Sequence, residues 1–499
     1  MLGPLLAGQL ASAAPLEISV ERIAAHAAVL ASDAFEGRQP GTAGEVRTLA
    51  YIASEYAAAG LKPAVDGRWF QPVPLVSRIP TEGRLALGDF AVSREAMVLL
   101  GAAGEDGLSA APLLFVGHAM PAVIRGSRHV KGAVLLYLPG APADVSASNM
   151  ASVGMRQAVM RSAGAAAGLM VIADGDWDDA ATALRKGTTT LADDPTLRFR
   201  GILRESAARQ LIEAAGGDYD RLRSRAARSS MRPVRLDRPV AVSALTELRR
   251  FTSWNVAGLI EGTRPDETVL VLAHWDHLGI CRPEGAADRI CNGAVDNASG
   301  VGAMIEIARA LAAGPRPERS LLFLATTAEE MGLLGARAYV AQPLRPLAGT
   351  IAAINLDMIA LRPTGAPIAI VGRRLSTLDG IIAAVGAEQG RRVYEGKGPD
   401  AYVQRSDAYP FLNAGVPAVV ATGVLASPPE DADPLLDAFF RDRYHQSADN
   451  IDAGIDWSGA AEDASLALRV IRRLAQGTTN VRWLADSPYQ RPPADPGAR

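Results

Sequence analysis

Short hydrophobic runs alternate with helical patterns over residues 245–425. The runs predict buried strands at residues 268–273, 320–326, 350–356, 367–371 and 417–421. They are apolar without interruption, as strands are when helices cover both faces of their sheet. We therefore predict an α/β fold built on a helix-covered, mixed but mainly parallel sheet.

Two helices have ends that the sequence marks. Thr42 and Glu45 have the spacing of a capping box, and Gly60 follows the last apolar position of that helix. A second helix is predicted to begin at Ser299, where an apolar stripe of helical spacing starts, and to stop at Gly314.

The middle of the chain has a different pattern. Apolar strands are predicted at residues 133–138 and 168–173, among stretches rich in alanine and arginine. The difference predicts a smaller domain, α/β or β-rich, inserted into the first one. The predicted divisions are a core domain of residues 16–85 and 246–480, an insert of residues 86–245, and a C-terminal tail of residues 481–499.

Two features favour export from the cytoplasm. Residues 1–15 are small and apolar, and Ala11-Ser12-Ala13 fits the pattern that precedes signal-peptide cleavage. Because no basic residue precedes Arg22, we interpret this segment as the remnant of a secretion signal.

Cys281 and Cys291 are the two cysteines of the chain. A disulfide between them would suit an oxidising compartment, the alternative being two free thiols, so we expect a periplasmic or secreted protein.

Composition excludes some function classes. The chain has 499 residues, of which 48% are hydrophobic and 21% charged, as is typical of a globular protein of two or more domains. Its formal net charge is −3, so the chain has no excess of basic residues that would indicate nucleic-acid binding. No apolar run approaches the roughly 20 residues of a membrane span. The oligomeric state is not encoded in any pattern we can interpret.

Ligand-type side chains follow the predicted strands at the points where those strands end. His274 comes directly after the first strand, Glu329 and Glu330 follow the second, and Asp357 follows the third. Because the carboxyl ends of parallel strands meet at one edge of a sheet, we expect these side chains to lie close together. Histidine with carboxylates in this order is typical of a two-zinc hydrolase.

The charges of the candidate ligands suit two zinc ions. Asp296, Glu330 and Asp357 contribute three negative charges, and neutral His274 and His445 contribute none. With one bridging hydroxide, this set nearly balances the charge of two divalent ions, which makes their burial tolerable.

The neighbours of these ligands have predicted roles too. Asp276 lies two residues from His274 and can orient its ring from outside the ligand set. His277 is expected to pack nearby or to support a ligand. Since adjacent side chains point in different directions, one of Glu329 and Glu330 can bind metal while the other faces the reacting water.

These residues resemble the motifs of metallopeptidase family 28, which includes bacterial aminopeptidases and glutamate carboxypeptidase II. The similar motifs are His274-x-Asp276, Asp296-Asn297-x-Ser299-Gly300, Glu329-Glu330-x-Gly332-Leu333-Leu334-Gly335, Asn355-x-Asp357-Met358 and Tyr444-His445. The resemblance covers residues 16–85 and 246–475, and it implies that the insert is a protease-associated domain.

The resemblance implies a role for each ligand. Asp296 would bridge two zinc ions, His274 and Asp357 would complete one site, and Glu330 and His445 would complete the other.

It also implies the catalytic groups. Glu329 would be the general base that takes a proton from the attacking water and passes it to the leaving amine. Tyr444 would either assist at the oxyanion or serve as a structural hydroxyl. The segment from Ser406 to Phe411 resembles one near the specificity pocket of the family, although Ala408 stands where histidine is frequent.

We therefore expect a secreted zinc aminopeptidase that acts on peptides. A carboxypeptidase or dipeptidase on the same scaffold is the alternative, and Arg405 or the arginines at 198, 200 and 204 would then bind the terminal carboxylate. A one-zinc glutaminyl cyclase and a non-catalytic receptor-like ectodomain are more distant alternatives, and the complete ligand set argues against both.

Overall fold

The computed structural model describes residues 17–145, 152–396, 398–426, 433–451 and 454–490. The chain forms two compact units: a core unit, Met1–Val73 with Thr252–Arg499, and an insert unit, Pro74–Phe251. The predicted signal remnant at residues 1–15 and the last nine residues of the predicted tail lie outside the described residues.

The elements are numbered in chain order. The helices are α1 Val20–Leu30, α2 Ala43–Ala58, α3 Pro121–Arg125, α4 Val153–Ser162, α5 Trp177–Arg185, α6 Glu205–Ala214, α7 Tyr219–Ala226, α8 Ser299–Ala312, α9 Leu334–Ala341, α10 Leu378–Glu388, α11 Ala408–Asn413, α12 Pro434–Asp442 and α13 Ser458–Ala475. The strands are β1 Lys62–Pro63, β2 Phe70–Leu87, β3 Phe90–Ala91, β4 Met97–Gly101, β5 Glu105–Ala111, β6 Leu113–Phe115, β7 Val134–Tyr137, β8 Ala167–Ile172, β9 Thr188–Leu191, β10 Phe199–Arg204, β11 Val234–Arg235, β12 Val240–Ile260, β13 Arg264–His274, β14 Gly279–Ile280, β15 Ile290–Cys291, β16 Arg319–Thr326, β17 Thr350–Asn355, β18 Ala369–Val371 and β19 Ala418–Thr422.

The core unit is built on a mixed sheet with a parallel centre. Its strands lie in the order β18-β19-β17-β13-β16-β12. The four central strands, β19, β17, β13 and β16, are parallel to one another, and β18 and β12 are antiparallel at the two sides. The predicted fold class is confirmed, and the five strands predicted between residues 268 and 421 all form.

Helices cover both faces of this sheet because its central strands alternate apolar side chains between two cores. Along β13, Val269 and Val271 belong to the core that includes α1, α2, α8 and α13. Leu270 and Leu272 belong to the opposite core, which includes Tyr339 of α9 and Phe411 of α11. Each buried aliphatic side chain contributes roughly 1.5–3 kcal/mol to folding. The strand ends that carry the candidate ligands are therefore held by a rigid centre.

The insert unit has a sheet of its own in the order β11-β6-β7-β8-β10-β4. Its strands β6, β7, β8 and β10 are parallel, with β11 and β4 antiparallel at the sides. The predicted strands at 133–138 and 168–173 correspond to β7 and β8. Buried side chains from α6 and α7 pack with this sheet in one core.

The capping box predicted before α2 does not form. The Thr42 hydroxyl donates to the Gln39 carbonyl at 2.7 Å and does not cap the helix. Glu45 does accept the backbone N–H of Gly41, and its other oxygen accepts from the Ser253 hydroxyl at 2.7 Å. The prediction for Thr42 is wrong because its side chain bonds within the preceding turn, a common alternative for this residue type.

Candidate metal centre

The parallel strands of the core unit end at one edge of the sheet, and the ligand-type side chains collect there. His274 is the last residue of β13, and Asp357 follows the end of β17. Glu329 and Glu330 lie just beyond β16, which ends at Thr326. Asp296 comes from an irregular turn directly before α8.

Asp296 lies at the centre of this group, with each carboxylate oxygen facing a different histidine. Its Oδ1 is 3.1 Å from His274 Nε2, and its Oδ2 is 3.4 Å from His445 Nε2. His274 Nε2 is also 3.6 Å from Asp357 Oδ1, while His445 Nε2 is 3.0 Å from Glu330 Oε2. The five candidate ligands therefore divide into two sets that share Asp296.

These separations suit ligand atoms that face a common ion. Zinc bonds of about 2.0–2.2 Å in a tetrahedral arrangement place neighbouring ligand atoms about 3.3–3.6 Å apart. The four contacts, 3.0 to 3.6 Å, lie close to that spacing. His274 and Asp296 are nearly fully buried, and ionised groups buried together need charge compensation. The residues present fit zinc in both their chemistry and their spacing.

The electrostatics of the ion-free chain show how strongly the groups interact. Burial alone would raise the pKa of Asp296, yet His274 and His445 hold it well below its usual range. Burial would lower the pKa of His445, but Asp296 and Glu330 raise it to about 9. His445 therefore carries a proton at neutral pH when no cation is bound beside it.

Asp276 supports two of the motifs at once. Its carboxylate accepts the backbone N–H of Glu329 at 3.0 Å and that of Glu330 at 3.4 Å, which fixes the turn after β16. His274 Nδ1 lies 3.2 Å from the Asp276 backbone carbonyl but 3.9 Å from the carboxylate. A carbonyl oxygen only accepts, so Nδ1 carries the proton and Nε2 is free for a cation. The backbone of Asp276, and not its carboxylate, orients the ring.

Arg38 is a residue of this centre that the sequence analysis missed. Its fully buried guanidinium donates to the backbone carbonyls of Trp275, Leu30, Asn292 and Gly293 at 2.6–2.9 Å. It thereby ties the segment after β13 to the segment before α8. Burial lowers its pKa to about 10, so it remains cationic at neutral pH, and the nearby carboxylates favour that charge. No spacing pattern links Arg38 to the ligand motifs.

Two further side chains hold the Asp296 turn. Asp449 is buried and accepts the backbone N–H groups of Val295 and Asp296 at 3.1 Å. Asn297 donates to the Leu356 carbonyl at 2.9 Å and so ties the turn to the end of β17. Asp449 was missed, although it lies only four residues after His445.

Cys281 and Cys291 form a disulfide with an S–S distance of 2.06 Å. It joins the short hairpin of β14 and β15, which lies between His274 and Asp296 in sequence. Gly37, with φ of +63°, approaches this hairpin so closely that a Cβ there would meet the Cys291 carbonyl oxygen at 2.4 Å. Only glycine suits that position, because it tolerates both the left-handed backbone and the contact.

A cleft opens beside the ligands. Glu329 lines it, and burial raises the pKa of this carboxyl well above its usual range. The remaining lining residues are His274, Asp296, Asp357, Met358, Val371, Tyr402, Arg405, Ser406, Val420, Leu425 and Tyr444.

Tyr444 is fixed beside the ligand that follows it. Its ring stacks on that of His445, with centroids 3.8 Å apart, and its hydroxyl oxygen accepts from Arg405 Nη2 at 3.2 Å. Because the oxygen accepts from Arg405, its own proton is free to be donated into the cleft.

Asp407, in the segment from Ser406 to Phe411, is buried and accepts from the Thr326 hydroxyl. Burial raises the pKa of Asp407 to about 6.

Comparison with known families gives the same assignment as the motifs. The family model described as Peptidase family M28 matches residues 255–471. The chain contains a peptidase family M28 domain. All five candidate ligands, Glu329 and Tyr444 lie within the matched segment, whereas Arg38 lies outside it. The domain therefore belongs to a metallopeptidase class of hydrolases.

Similar proteins agree with this family. A probable glutamate carboxypeptidase of Arthroderma benhamiae is 34% identical over 22% of this chain and 14% of its own length. Aminopeptidase NAALADL1 of Mus musculus is 35% identical over 26% of this chain and 17% of its own length. The chain thus matches less than a fifth of either relative.

One solved structure supports the fold along most of the chain. An aminopeptidase from Aneurinibacillus sp. strain AM-1 superposes with a TM-score of 0.56 over 92% of this chain and 95% of that chain, at 18% identity. None of the described helices is long and apolar enough to span a membrane.

Proposed function

We propose that the chain is an exported zinc exopeptidase, most specifically an aminopeptidase that removes single N-terminal residues from peptides. The observation that carries this proposal is the arrangement around Asp296, whose two oxygens face two separate sets of ligand atoms. Two zinc ions in these sets would polarise the scissile carbonyl and lower the pKa of an attacking water.

The side chains of the cleft supply the proton transfers. Glu329 lines the cleft without belonging to either ligand set, and its raised pKa suits a group that must accept a proton and give it back. We assign it the role of general base towards water and of general acid towards the leaving amine. We assign the Tyr444 hydroxyl, which accepts from Arg405, the role of donor to the oxyanion.

The charge of the cleft favours a substrate with a free amino group. With Asp296 and Asp357 neutralised by zinc ions, Glu329 is the carboxylate of the cleft that belongs to neither ligand set, and outside those sets the cationic side chain there is that of Arg405. Arg405 is already engaged with Tyr444 and lies over the Tyr402 ring, 5.5 Å from its centroid. An α-ammonium group would be attracted to such a surface.

The apolar part of the cleft favours hydrophobic N-terminal residues. Met358, Val371, Val420 and Leu425 form this part, and they present no group that would pair with a charged side chain. Leucine or another aliphatic residue would bury apolar area against them at about 25 cal/mol per Å².

The carboxypeptidase alternative rests on Arg405 and on the name of the Arthroderma relative. The insert arginines do not strengthen it, since each already has a partner within its own unit. Arg198 pairs with Asp106 at 2.6 Å, Arg204 lies 3.2 Å from Asp174, and Arg200 donates to Thr188.

Two further assignments belong to the same proposal. The disulfide between Cys281 and Cys291 supports a periplasmic or secreted location, because such bonds persist in oxidising compartments. We also assign the insert unit to the protease-associated class, on the strength of the family resemblance alone.

Matched peptides test the direction of cleavage. Leu-Ala-Ala-Phe, its N-acetyl form and its C-terminal amide would be incubated with zinc-loaded protein, with and without chelator, and the products identified by mass. We expect release of leucine from the free peptide and the amide, and none from the acetylated peptide. Cleavage that survives acetylation but is abolished by amidation would establish the carboxypeptidase instead.

A further inference from the structure

Two arginines of the insert unit are buried without an acidic partner among the described residues. Arg78 lies on β2 and is 7% exposed, and Arg200 lies on β10 and is largely buried. Arg78 donates to the Thr190 hydroxyl at 2.9 Å and, at 3.4 Å, to the Ala102 carbonyl. Arg200 donates to the Thr188 hydroxyl. Neutral oxygens therefore stand where buried guanidinium groups usually have carboxylates.

The surroundings of these two side chains are positively charged. Burial and the neighbouring charge of Arg78 lower the pKa of Arg200 to about 10. Burial and the charge of Arg250 lower the pKa of Arg78, and Asp194 opposes this effect without forming an ion pair with Arg78. Both guanidinium groups remain charged at neutral pH. Because an uncompensated buried charge is unfavourable, a group that supplies the missing negative charge would be bound favourably.

The pairing of β2 with β9 places these groups beside one surface. Arg78 stands opposite Thr188 in this antiparallel pair, and residues directly opposite each other share one face of a sheet. Thr190 lies on the same face, because it is two residues further along β9. The hydroxyls of Ser77 and Thr189, 2.7 Å apart, belong to the other face. The two hydroxyls that hold the arginines are therefore neighbours, roughly 7 Å apart along the strand.

Hydrogen-bond donors of both arginines remain available. Nη2 of Arg78, and Nε and Nη1 of Arg200, bond to no other group in the described part of the chain, yet these atoms are not enclosed by protein. The Thr188 hydroxyl oxygen accepts from Arg200, so its own proton can be donated elsewhere. Guanidinium groups match the geometry of carboxylate and phosphate oxygens, to which they donate pairs of hydrogen bonds.

We propose that Arg78, Arg200 and the Thr188 hydroxyl form an oxyanion-binding site of the insert unit. The ligand would be a phosphate or carboxylate group, whose oxygens would accept from both arginines and supply the negative charge that the described residues do not. Charge-assisted hydrogen bonds of about 2.7–2.9 Å on each side would let one such group bridge guanidinium groups held this close together. The site contains none of the candidate zinc ligands and does not depend on the proposed peptidase activity.

The competing explanation is that the two arginines only hold β9 in place through Thr188 and Thr190. The melting temperature of Arg200→Met in buffer free of phosphate and carboxylate separates the two. Loss of a structural donor should lower it, whereas loss of an uncompensated charge should leave it unchanged or raise it. Arg204→Met is the matched control, because Arg204 lies on the same strand but has an acidic partner, Asp174, at 3.2 Å.

Anion binding to the zinc-loaded, full-length chain would be measured by isothermal titration calorimetry at constant ionic strength. The probes are inorganic phosphate, acetate and acetamide, the last being an uncharged counterpart of acetate. We expect saturable binding of phosphate or acetate and none of acetamide, and the tighter of the two anions identifies the kind of group that the site takes. Arg200→Met should weaken this binding tenfold or more, since charge-assisted hydrogen bonds are lost, and Arg204→Met should not change it. The bound anion should raise the melting temperature of wild-type protein but not that of Arg200→Met.

Other results would overturn the inference. Wild-type protein that binds neither anion saturably has no such site. Binding that is equally strong in Arg200→Met would belong to another part of the molecule, such as the zinc centre. A melting temperature of Arg200→Met that falls equally with and without anion would establish the structural role. Should Arg200→Met fail to fold, Thr188→Val, which keeps both charges and the side-chain shape, takes its place, and an unchanged anion affinity in that variant would refute the site.

Discussion

Replacing Arg38 with methionine should destabilise the core unit severely. Methionine retains most of the aliphatic stem but removes the charge and all donors. Arg38 makes one hydrogen bond to each of four backbone carbonyls at 2.6–2.9 Å. The Gly293 carbonyl also accepts from the Ala298 N–H at 3.1 Å, which leaves three carbonyls that would lose their partner. A buried acceptor left without a partner costs about 1–3 kcal/mol, so these three correspond to at least about 3 kcal/mol. That is a large fraction of the roughly 5–15 kcal/mol by which proteins of this kind are stable.

The assay is urea unfolding of the metal-free protein, followed by tryptophan fluorescence, because Trp254 and Trp275 belong to the core unit. Arg38→Lys, which keeps the charge but has three donors for four acceptors, should fall between Arg38→Met and wild type. Arg47→Met is the matched control: Arg47 is half-exposed and donates to one carbonyl, that of Ala34. We expect it to change the free energy of unfolding by less than about 1 kcal/mol. An effect of Arg38→Met as small as that of the control would refute the assigned role.

Four other changes have defined outcomes. Glu329→Gln should keep the zinc content and lower kcat by roughly 10²–10⁴-fold, because it removes only proton transfer, and a near wild-type rate would show that the base is misassigned. Glu330→Gln should lower the zinc content as well, as elemental analysis would show. Zinc binding should release protons at pH 7, and the zinc affinity should rise as the pH rises towards 9. The reason is that ligation needs a neutral imidazole, while the pKa of His445 is raised to about 9. A zinc affinity independent of pH, measured by calorimetry in several buffers, would contradict this. Cys281 and Cys291 should resist thiol labelling until reduced, and reduction should speed zinc loss to a chelator; free thiols in the oxidised protein would contradict the disulfide.

The sequence predicted those parts of the molecule that have local patterns. The strands leading to His274, Glu329 and Asp357 are uninterrupted apolar runs, so both their positions and the common edge of their carboxyl ends follow from the sequence. The hydrogen bonds of Arg38 and Asp449 cannot be predicted from the sequence, because each side chain bonds to backbone groups far away along the chain. Nearly every residue type has the same backbone groups, so the sequence does not show which of them will be partners. The capping box failed at Thr42 for a related reason: its hydroxyl has a competing acceptor in the turn before it.

Asp276 shows a different limit. The sequence predicts that the Asp276 side chain orients the ring of His274. In the structure the Asp276 carboxylate is engaged with the backbone of Glu329 and Glu330, and the His274 ring is oriented by a carbonyl instead. Which side chain takes which contact depends on distances of a few tenths of an ångström, and motif spacing does not determine them.

The most direct test of a two-ion centre shared by Asp296 is the zinc content of purified protein, measured together with leucine p-nitroanilide hydrolysis. Wild-type protein should hold about two zinc ions per chain by the ligand count and lose hydrolysis on chelation. Asp296→Asn should hold less than one ion and be inactive, since this residue serves both ion positions. Full hydrolysis by protein free of transition metal, or two ions retained in Asp296→Asn, would contradict the centre described here.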